Sequence, residues 1–388
     1  MKSALPRVSP ALVAVIVIAI SIATLVQFGL RPQHDSGRIG LKVSGDFLLF
    51  WSTAKLIIQG HNPYDGELLL KMMSQTVGPM AYDMRVPTLP ALAGLLIPFA
   101  ILPFNIALLT WTILNVALAL AGLHLVYRTI QIPDNRRKLA IKFAFISTFY
   151  PLFLAIKLAQ IIPLLFFCTA LFCANQDKLN DRRKGFFSGL ALAVCTIKPH
   201  LFLPFLIVVS LWTLRSRMWR VAIGFIVGVA SLWLFPVCFN PRVYSLFLNS
   251  DLSNSLNWRT PTIGFWLAEL AGGVAYLKFL PLLLACGYAL STGLTVSFEE
   301  GALCRITRRM IPLSLACAPY LWVYDFVLLI PAIIPILHKG GNLTQMLIFG
   351  SNIGVWLAPR EMEYSFWYPV LIAGLEVSVS RDRSAYTP

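Results

Sequence analysis

Few residues in this sequence can hold or move a charge, and the informative ones fall where apolar runs are interrupted. Lys198 stands before Pro199, inside the otherwise apolar stretch 189–209. A cation at membrane depth costs at least about 2.5 kcal/mol on insertion scales, so it calls for a partner or a task. It reads either as a lysine snorkelling from a helix end that Pro199 creates, or as a point charge for a phosphate. His200 follows, either assisting there or resting as a satisfied polar residue beside the break. Asp46 comes after Ser44-Gly45 and opens the stretch Phe47 to Ile58, which reads as an amphipathic helix on the membrane surface with a carboxylate at its start. The plainer reading is a helix cap by Ser44 or Asp46, with Asn62-Pro63 marking the turn that ends the helix. Asp83 and Arg85 lie further along the same loop, as substrate contacts or as ordinary solvated charges. Gln160 sits at a corner between two apolar runs, where it bonds to a substrate hydroxyl or satisfies broken backbone.

Other chemistries lack their residues. There is no D-x-D pair for a metal-bound nucleotide sugar, no Walker P-loop and no G-x-G-x-x-G fingerprint. His34, His61, His124, His200 and His338 are too scattered for a structural zinc site. The cysteines form no C-x-x-C pair and read as small packing residues. No metal and no cofactor is expected. The net charge of +15 does not point to nucleic acid, because Lys and Arg form short clusters between apolar runs.

These residues must be positioned by membrane helices. Of 388 residues 57% are apolar and 13% charged, far from the roughly 25% charged of soluble domains. The expected fold is an all-α polytopic membrane protein, a single domain over 1–388. A span takes about 20 apolar residues. On that measure candidate spans are 11–29 (read as uncleaved), 105–127, 139–157, 160–176, 185–198, 199–214, 220–238, 274–294, 310–321, 326–338, 343–357 and 365–379. The run 87–103 is long enough to cross, but its prolines oppose a regular helix. If it crossed, Arg136-Arg137-Lys138 and Arg182-Arg183-Lys184 would move outside, against the positive-inside rule. It is therefore expected to be re-entrant or interfacial, leaving about twelve crossings and both termini cytoplasmic. A long outer loop then covers 30–86. Gly185/Gly189, Gly224/Gly228 and Gly350/Gly354 lie on predicted spans and are expected to let helix backbones approach closely.

Several strings recur in a fixed order on the expected outer side. They are Gly45-Asp46-Phe47, Phe50-Trp51-Ser52-Thr53-Ala54, Gly60-His61-Asn62-Pro63-Tyr64-Asp65 and a loosened Tyr82 to Pro87. Trp111 and Asn115 follow at W-x-x-x-N spacing, then Gln160, with Ala159 where a glycine is usual, then Lys198-Pro199-His200. Arg259-Thr260-Pro261-Thr262 and Pro319 to Asp325 complete the series. Over residues 40–340 this order resembles glycosyltransferase family 87. The resemblance implies a GT-C-like membrane transferase that moves a sugar, often mannose, from a polyprenyl phosphate to a lipid-linked or cell-envelope glycan. It also implies an inner-membrane location with the site facing the periplasm or exterior. Asp46 maps onto the family's first-loop aspartate, the catalytic base. A sugar hydroxyl is too weak an acid to ionise by itself, so a carboxylate within reach must accept its proton. One base suffices for a single inverting displacement. Tyr64, Asp83, Gln160, Lys198, His200, Arg259, Trp322, Tyr324 and Asp325 are the expected substrate-binding set. Tyr324 and Asp325 stand where some members have histidine, which keeps an inactive family member as an alternative. A transporter or flippase of a lipid-linked sugar is the other rival, though no internal repeat is evident.

Overall fold

The computed structural model describes residues 41–79, 88–130, 136–250, 258–296, 302–357 and 362–381. Among them the secondary structure is helical throughout, with no strand. In chain order the helices are α1 (Leu41–Ile58), α2 (Gly66–Val77), α3 (Pro90–Ala100), α4 (Phe104–Ile130), α5 (Arg136–Thr148) and α6 (Tyr150–Lys157). They continue with α7 (Ile162–Ala174), α8 (Arg182–Val194), α9 (Pro199–Arg215), α10 (Trp219–Leu234), α11 (Val243–Leu248) and α12 (Ile263–Leu270). The last five are α13 (Leu280–Thr295), α14 (Ala302–Ala316), α15 (Ile330–Lys339), α16 (Asn342–Leu357) and α17 (Trp367–Arg381). The expected first span at 11–29, the Tyr82–Pro87 segment, and with it Asp83 and Arg85, fall outside the described residues.

Among the described residues three helices are long and apolar enough to cross a membrane: Phe104–Ile130, Trp219–Cys238 and Ala275–Thr295. They stay apolar on their outer sides, where Leu109, Ile113, Ile223, Ile226, Leu283 and Leu284 are exposed. A helix apolar toward its neighbours and away from them suits lipid rather than water. The chain is an all-helical membrane protein. The other expected crossings are shorter or interrupted. The run 139–157 is divided into α5 and α6 at Phe149, just ahead of Pro151. The run 185–198 is α8 followed by a 3₁₀ turn, Cys195–Ile197, that stops at Pro199. The run 326–338 begins inside another 3₁₀ turn, Val323–Leu329, and carries Pro331 and Pro335 within α15.

The segment expected to be re-entrant or interfacial contains the 11-residue α3, whose rise of roughly 16 Å is about half the hydrocarbon thickness. Pro90 starts it, where a missing N–H is harmless. Its C-terminal carbonyl at Ala100 accepts from Lys55 Nζ at 3.0 Å, a cation at the end where the helix dipole favours one. Eight of its residues are buried.

Helix α1 departs from the expectation of a half-exposed surface helix. Phe47 to Ala54, Leu56 and Ile57 are all buried, Ser52 and Thr53 included. The Thr53 hydroxyl is satisfied by the Leu49 carbonyl at 2.8 Å, so its polarity marks no wet face. Phe47 stacks on Trp111 with centroids 6.0 Å apart, which fixes α1 against α4.

Two of the three Gly-x-x-x-Gly patterns meet each other. A side-chain carbon on Gly189 of α8 would run into the Val221 carbonyl of α10, and one on Gly224 into the Phe186 carbonyl of α8. The third pattern does not pack this way: Gly350 faces open space and Gly354 would make only ordinary contact with the Trp367 ring. Gly189→Ala and Gly224→Ala are therefore each expected to lower the thermal transition of the detergent-purified protein, by roughly 1–3 kcal/mol of overpacking strain. Gly350→Ala is expected to leave it unchanged, and equal behaviour of all three would contradict the α8–α10 contact.

Candidate active site

Three helix interruptions, the α6–α7 corner, the break before Pro199 and the 3₁₀ turn Val323–Leu329, gather around the carboxylate of Asp46. Asp46 lies five residues into α1, which begins at Leu41, so neither it nor Ser44 is the cap of this helix. Its Oδ2 accepts from Gln160 Nε2 and from the Tyr324 hydroxyl at 3.2 Å. The other oxygen, Oδ1, takes part in neither bond.

Gln160 is delivered by the corner between α6 and α7. Ala159 adopts φ 50° there, in the left-handed region that costs a non-glycine residue roughly 1–2 kcal/mol. Both carbonyls freed by the corner are recovered from α4. Trp111 Nε1 donates to the Ala159 carbonyl at 2.8 Å, and Asn115 Nδ2 to the Gln160 carbonyl at 2.9 Å. Spacing of four residues places Trp111 and Asn115 on one helix face, which is the physical content of the W-x-x-x-N string. With its nitrogen on Asp46, the buried Gln160 side chain leaves Oε1 without a partner among the described residues.

Lys198 is delivered by the Pro199 break. A residue before proline is pushed out of the helical region, and Lys198 sits at φ −121°, ψ 70° between the 3₁₀ turn and α9. Its Nζ bonds to Asp325 Oδ1 at 3.0 Å and lies 5.1 Å from the centre of the Tyr324 ring. The cation is thus paired and not snorkelling. Asp325 is 1% exposed and also accepts the Trp322 backbone N–H on Oδ2 at 2.7 Å. One carboxylate thereby caps the 3₁₀ turn and holds the lysine.

Asp46, Tyr324 and Asp325 lie outside the three span-length helices. Burial raises Asp46 above the ordinary carboxylate range; Lys198, Gln160 and Tyr324 oppose that rise, and Asp325 adds to it. Burial likewise raises Asp325, against Lys198 and the Trp322 N–H. Tyr324 is pushed well up by burial and by both carboxylates, and remains a hydroxyl donor.

Aromatic rings flank this group. His200 stacks on Tyr320 with centroids 3.9 Å apart, Trp258 meets Tyr320 edge-on at 6.0 Å, and Trp258 lies 5.8 Å from Trp322. Tyr320 and Trp258 were not singled out from the sequence. Their signals were adjacency to Arg259 and to the break at 320–325.

The structure joins Asp46, Gln160, Lys198, Tyr324 and Asp325 directly, with His200 and Trp322 beside them. Two expected binding residues are engaged elsewhere. Tyr64 donates to the Thr88 carbonyl at 2.8 Å and packs on Phe247. Arg259, 63% exposed, pairs with Glu363 at 3.1 Å. Asp83 lies outside the described residues. No group of three or more His, Cys, Asp or Glu side chains suited to a metal ion gathers among the described residues.

The sequence model of glycosyltransferase family 87 matches residues 90–307, more than half of the chain. The match includes Gln160, Lys198, His200 and Arg259; Asp46 precedes it, and Tyr324 and Asp325 follow it. No curated protein and no solved structure matches the chain.

The Lys198–Asp325 pair predicts a specific coupling. Removing one partner of a buried pair strands the other and costs roughly 3–5 kcal/mol. Lys198→Met is expected to lower stability strongly, and Asp325→Asn added to it is expected to restore part of the loss. A double-mutant cycle by thermal unfolding checks this; additive effects of the two substitutions would contradict the pairing.

Proposed function

Since the chain belongs to glycosyltransferase family 87, we propose that this membrane glycosyltransferase moves a sugar, with mannose the expected one, from a polyprenyl phosphate to a lipid-linked or cell-envelope glycan. Asp46 is the general base. The acceptor hydroxyl oxygen attacks the anomeric carbon while its proton passes to Asp46 Oδ1. The bond from that carbon to the phosphate oxygen breaks on the opposite side, and the polyprenyl phosphate leaves with the electron pair. A single displacement of this kind inverts the anomeric configuration.

The observation that carries the reading is the setting of Asp46, whose Oδ2 is held by Gln160 and Tyr324 while Lys198 lies close enough to act on its charge. Two donors fix the carboxylate's orientation without occupying Oδ1. A rise in its proton affinity by burial makes it a better base than an exposed aspartate. Lys198 has three N–H donors and gives one to Asp325, so a leaving phosphate can take another without breaking the pair. The Oε1 of Gln160, buried and without a partner among the described residues, is the acceptor assigned here to a sugar hydroxyl once substrate opens the site. Tyr324 and Asp325, where some family members have histidine, supply the hydrogen bond to Asp46 and the counter-charge to Lys198, which supports an active protein over an inactive one.

The expected outer-face location has support from charge. Helices α8, α9 and α15 each have one end at or next to this group and α4 meets it through Trp111 and Asn115 in its N-terminal half; their far ends carry Arg182 with Arg183, Arg215, Lys339 and Arg128 respectively. Cations gathered at the end away from the site suit a cytoplasmic side there and a periplasmic or exterior site.

Asp46→Asn tests the base. Asparagine keeps the size and one acceptor oxygen, so Gln160 and Tyr324 retain a partner. Turnover measured with a polyprenyl-phosphate sugar and a membrane-lipid acceptor is expected to fall by roughly 10²–10⁴, with donor binding retained. In the unsubstituted protein kcat/KM is expected to fall as pH drops through the raised Asp46 value, so the acid limb lies above the ordinary carboxylate range. Full turnover by the Asn variant would overturn the assignment.

A further inference from the structure

A second polar region lies at the other end of the same helices. A cavity of about 260 Å³ is lined by residues of α4, α7, α14 and α15, together with Gln176 from the turn after α7. Three elements connect it to the Asp46 group. Helix α4 supplies Asn115 near its middle and Val126, Thr129 and Ile130 in its last turns; α7 starts beside Gln160 and ends near Cys173; α15 follows Asp325 and ends at Lys339. At 1.5 Å per residue the two regions are roughly 16 to 20 Å apart. The cavity is therefore a separate place on the opposite face, and the transfer reaction as described uses none of its residues.

Its lining is one-sided in charge. Arg305 and Arg308 are three residues apart on α14, hence neighbours on one helix face. Lys339 joins them from the end of α15, and no carboxylate belongs to the lining among the described residues. Arg308 is held by Glu376 of α17, Nε to Oε1 at 3.2 Å, from outside the cavity. Polar side chains share the wall: Thr129, Thr307, and Gln176, whose oxygen accepts the Cys304 backbone N–H at 3.2 Å. Apolar side chains make up much of the remaining lining: Val126, Ile130, Ala170, Pro331 and Pro335. Two guanidinium groups and an ammonium converging from two helices suit the several oxygens of a phosphate. The apolar lining suits the carbon portion of a phosphate ester.

We propose that this cavity is a second, non-catalytic site that binds a phosphate group, carried by an anionic lipid headgroup or free in solution. Arg305, Arg308 and Lys339 hold the phosphate, and the apolar lining takes the glycerol and first acyl carbons when the phosphate belongs to a lipid.

Equilibrium binding to the purified full-length protein in an uncharged detergent tests this. The probes are labelled inorganic phosphate and short-chain phosphatidylglycerol below its micelle concentration, with short-chain phosphatidylcholine as the zwitterionic control. Arg305→Gln combined with Lys339→Gln removes two charges and leaves the Arg308–Glu376 pair intact. At least one anionic probe is expected to bind the unsubstituted protein and to weaken by tenfold or more in this double variant. Binding of both anionic probes assigns the site to phosphate itself, and binding of the lipid alone assigns it to an anionic headgroup with its apolar neighbour. Arg305→Lys with Lys339→Arg keeps the charges and is expected to keep binding. Should the Gln variant unfold, Thr129→Leu, which narrows the cavity, removes a hydroxyl from its lining and leaves its cations in place, is expected to weaken binding. Anionic probe binding that is unchanged in the Gln variant, or in Thr129→Leu if that replaces it, would overturn the proposal. So would the absence of binding by either anionic probe, or equal binding of phosphatidylcholine.

Discussion

Two carboxylates held inside an apolar helical bundle set the terms for the rest of this structure. A buried carboxylate is tolerated only when donors reach it, and in a bundle of membrane helices side chains and freed backbone groups arrive where helices stop. Asp325 is met by Lys198, placed by the Pro199 break, and by a backbone N–H from its own 3₁₀ turn. Asp46 is met by Gln160, placed by the α6–α7 corner, and by Tyr324 from that same turn. Each break thus exposes polar backbone and also delivers a side chain, and Trp111 and Asn115 absorb the cost at the corner by binding its two carbonyls. Irregular backbone at membrane depth survives only where it is buried in protein or lines a cavity. Here it is buried against the group it builds.

The arrangement also explains why helix α1 is buried in the bundle and not laid on its surface. Helix α1 carries Asp46, and its burial on all sides from Phe47 to Ala54 holds the carboxylate against elements contributed by residues more than a hundred positions away. The stacking of Phe47 on Trp111 joins the helix bearing Asp46 to the helix that pins the Gln160 corner. Lys55 continues the connection to the end of α3. A surface helix would leave Asp46 solvated, with an ordinary proton affinity and no fixed direction.

How much of this was legible depended on the range of the interaction. Membrane class followed from composition, and the Pro199 and 320–325 breaks were visible because proline and polar residues interrupt apolar runs. The family resemblance marked Asp46, Gln160 and Lys198. The partner of Lys198 was not legible, since Asp325 lies 127 positions away and no local pattern encodes the pair. Helix α1 was expected to lie amphipathic on the membrane surface, whereas Phe47 to Ala54 are buried on all sides and the Thr53 hydroxyl bonds to the Leu49 carbonyl of its own helix. Asp46 was misread as a possible cap because Ser44-Gly45 looks like a helix start, whereas the helix begins at Leu41. The glycine patterns at 185/189 and 224/228 were readable as close contacts, but the same pattern at 350/354 has no partner backbone, and spacing alone does not distinguish them. The aromatic flank of Trp258 and Tyr320 was missed because its members come from separate loops.

Donor phosphate and acceptor sugar are proposed to meet between Lys198 and Asp46. The most direct measurement is an electron cryomicroscopy structure of the protein with a non-transferable polyprenyl-phosphate sugar analogue. The phosphate is expected within hydrogen-bond reach of Lys198 Nζ, the anomeric carbon on the Asp46 side of it, and Asp46 Oδ1 facing the space an acceptor hydroxyl would fill. A phosphate bound away from Lys198, with Asp46 sealed behind Gln160 and Tyr324 and out of reach of the sugar, would contradict this placement.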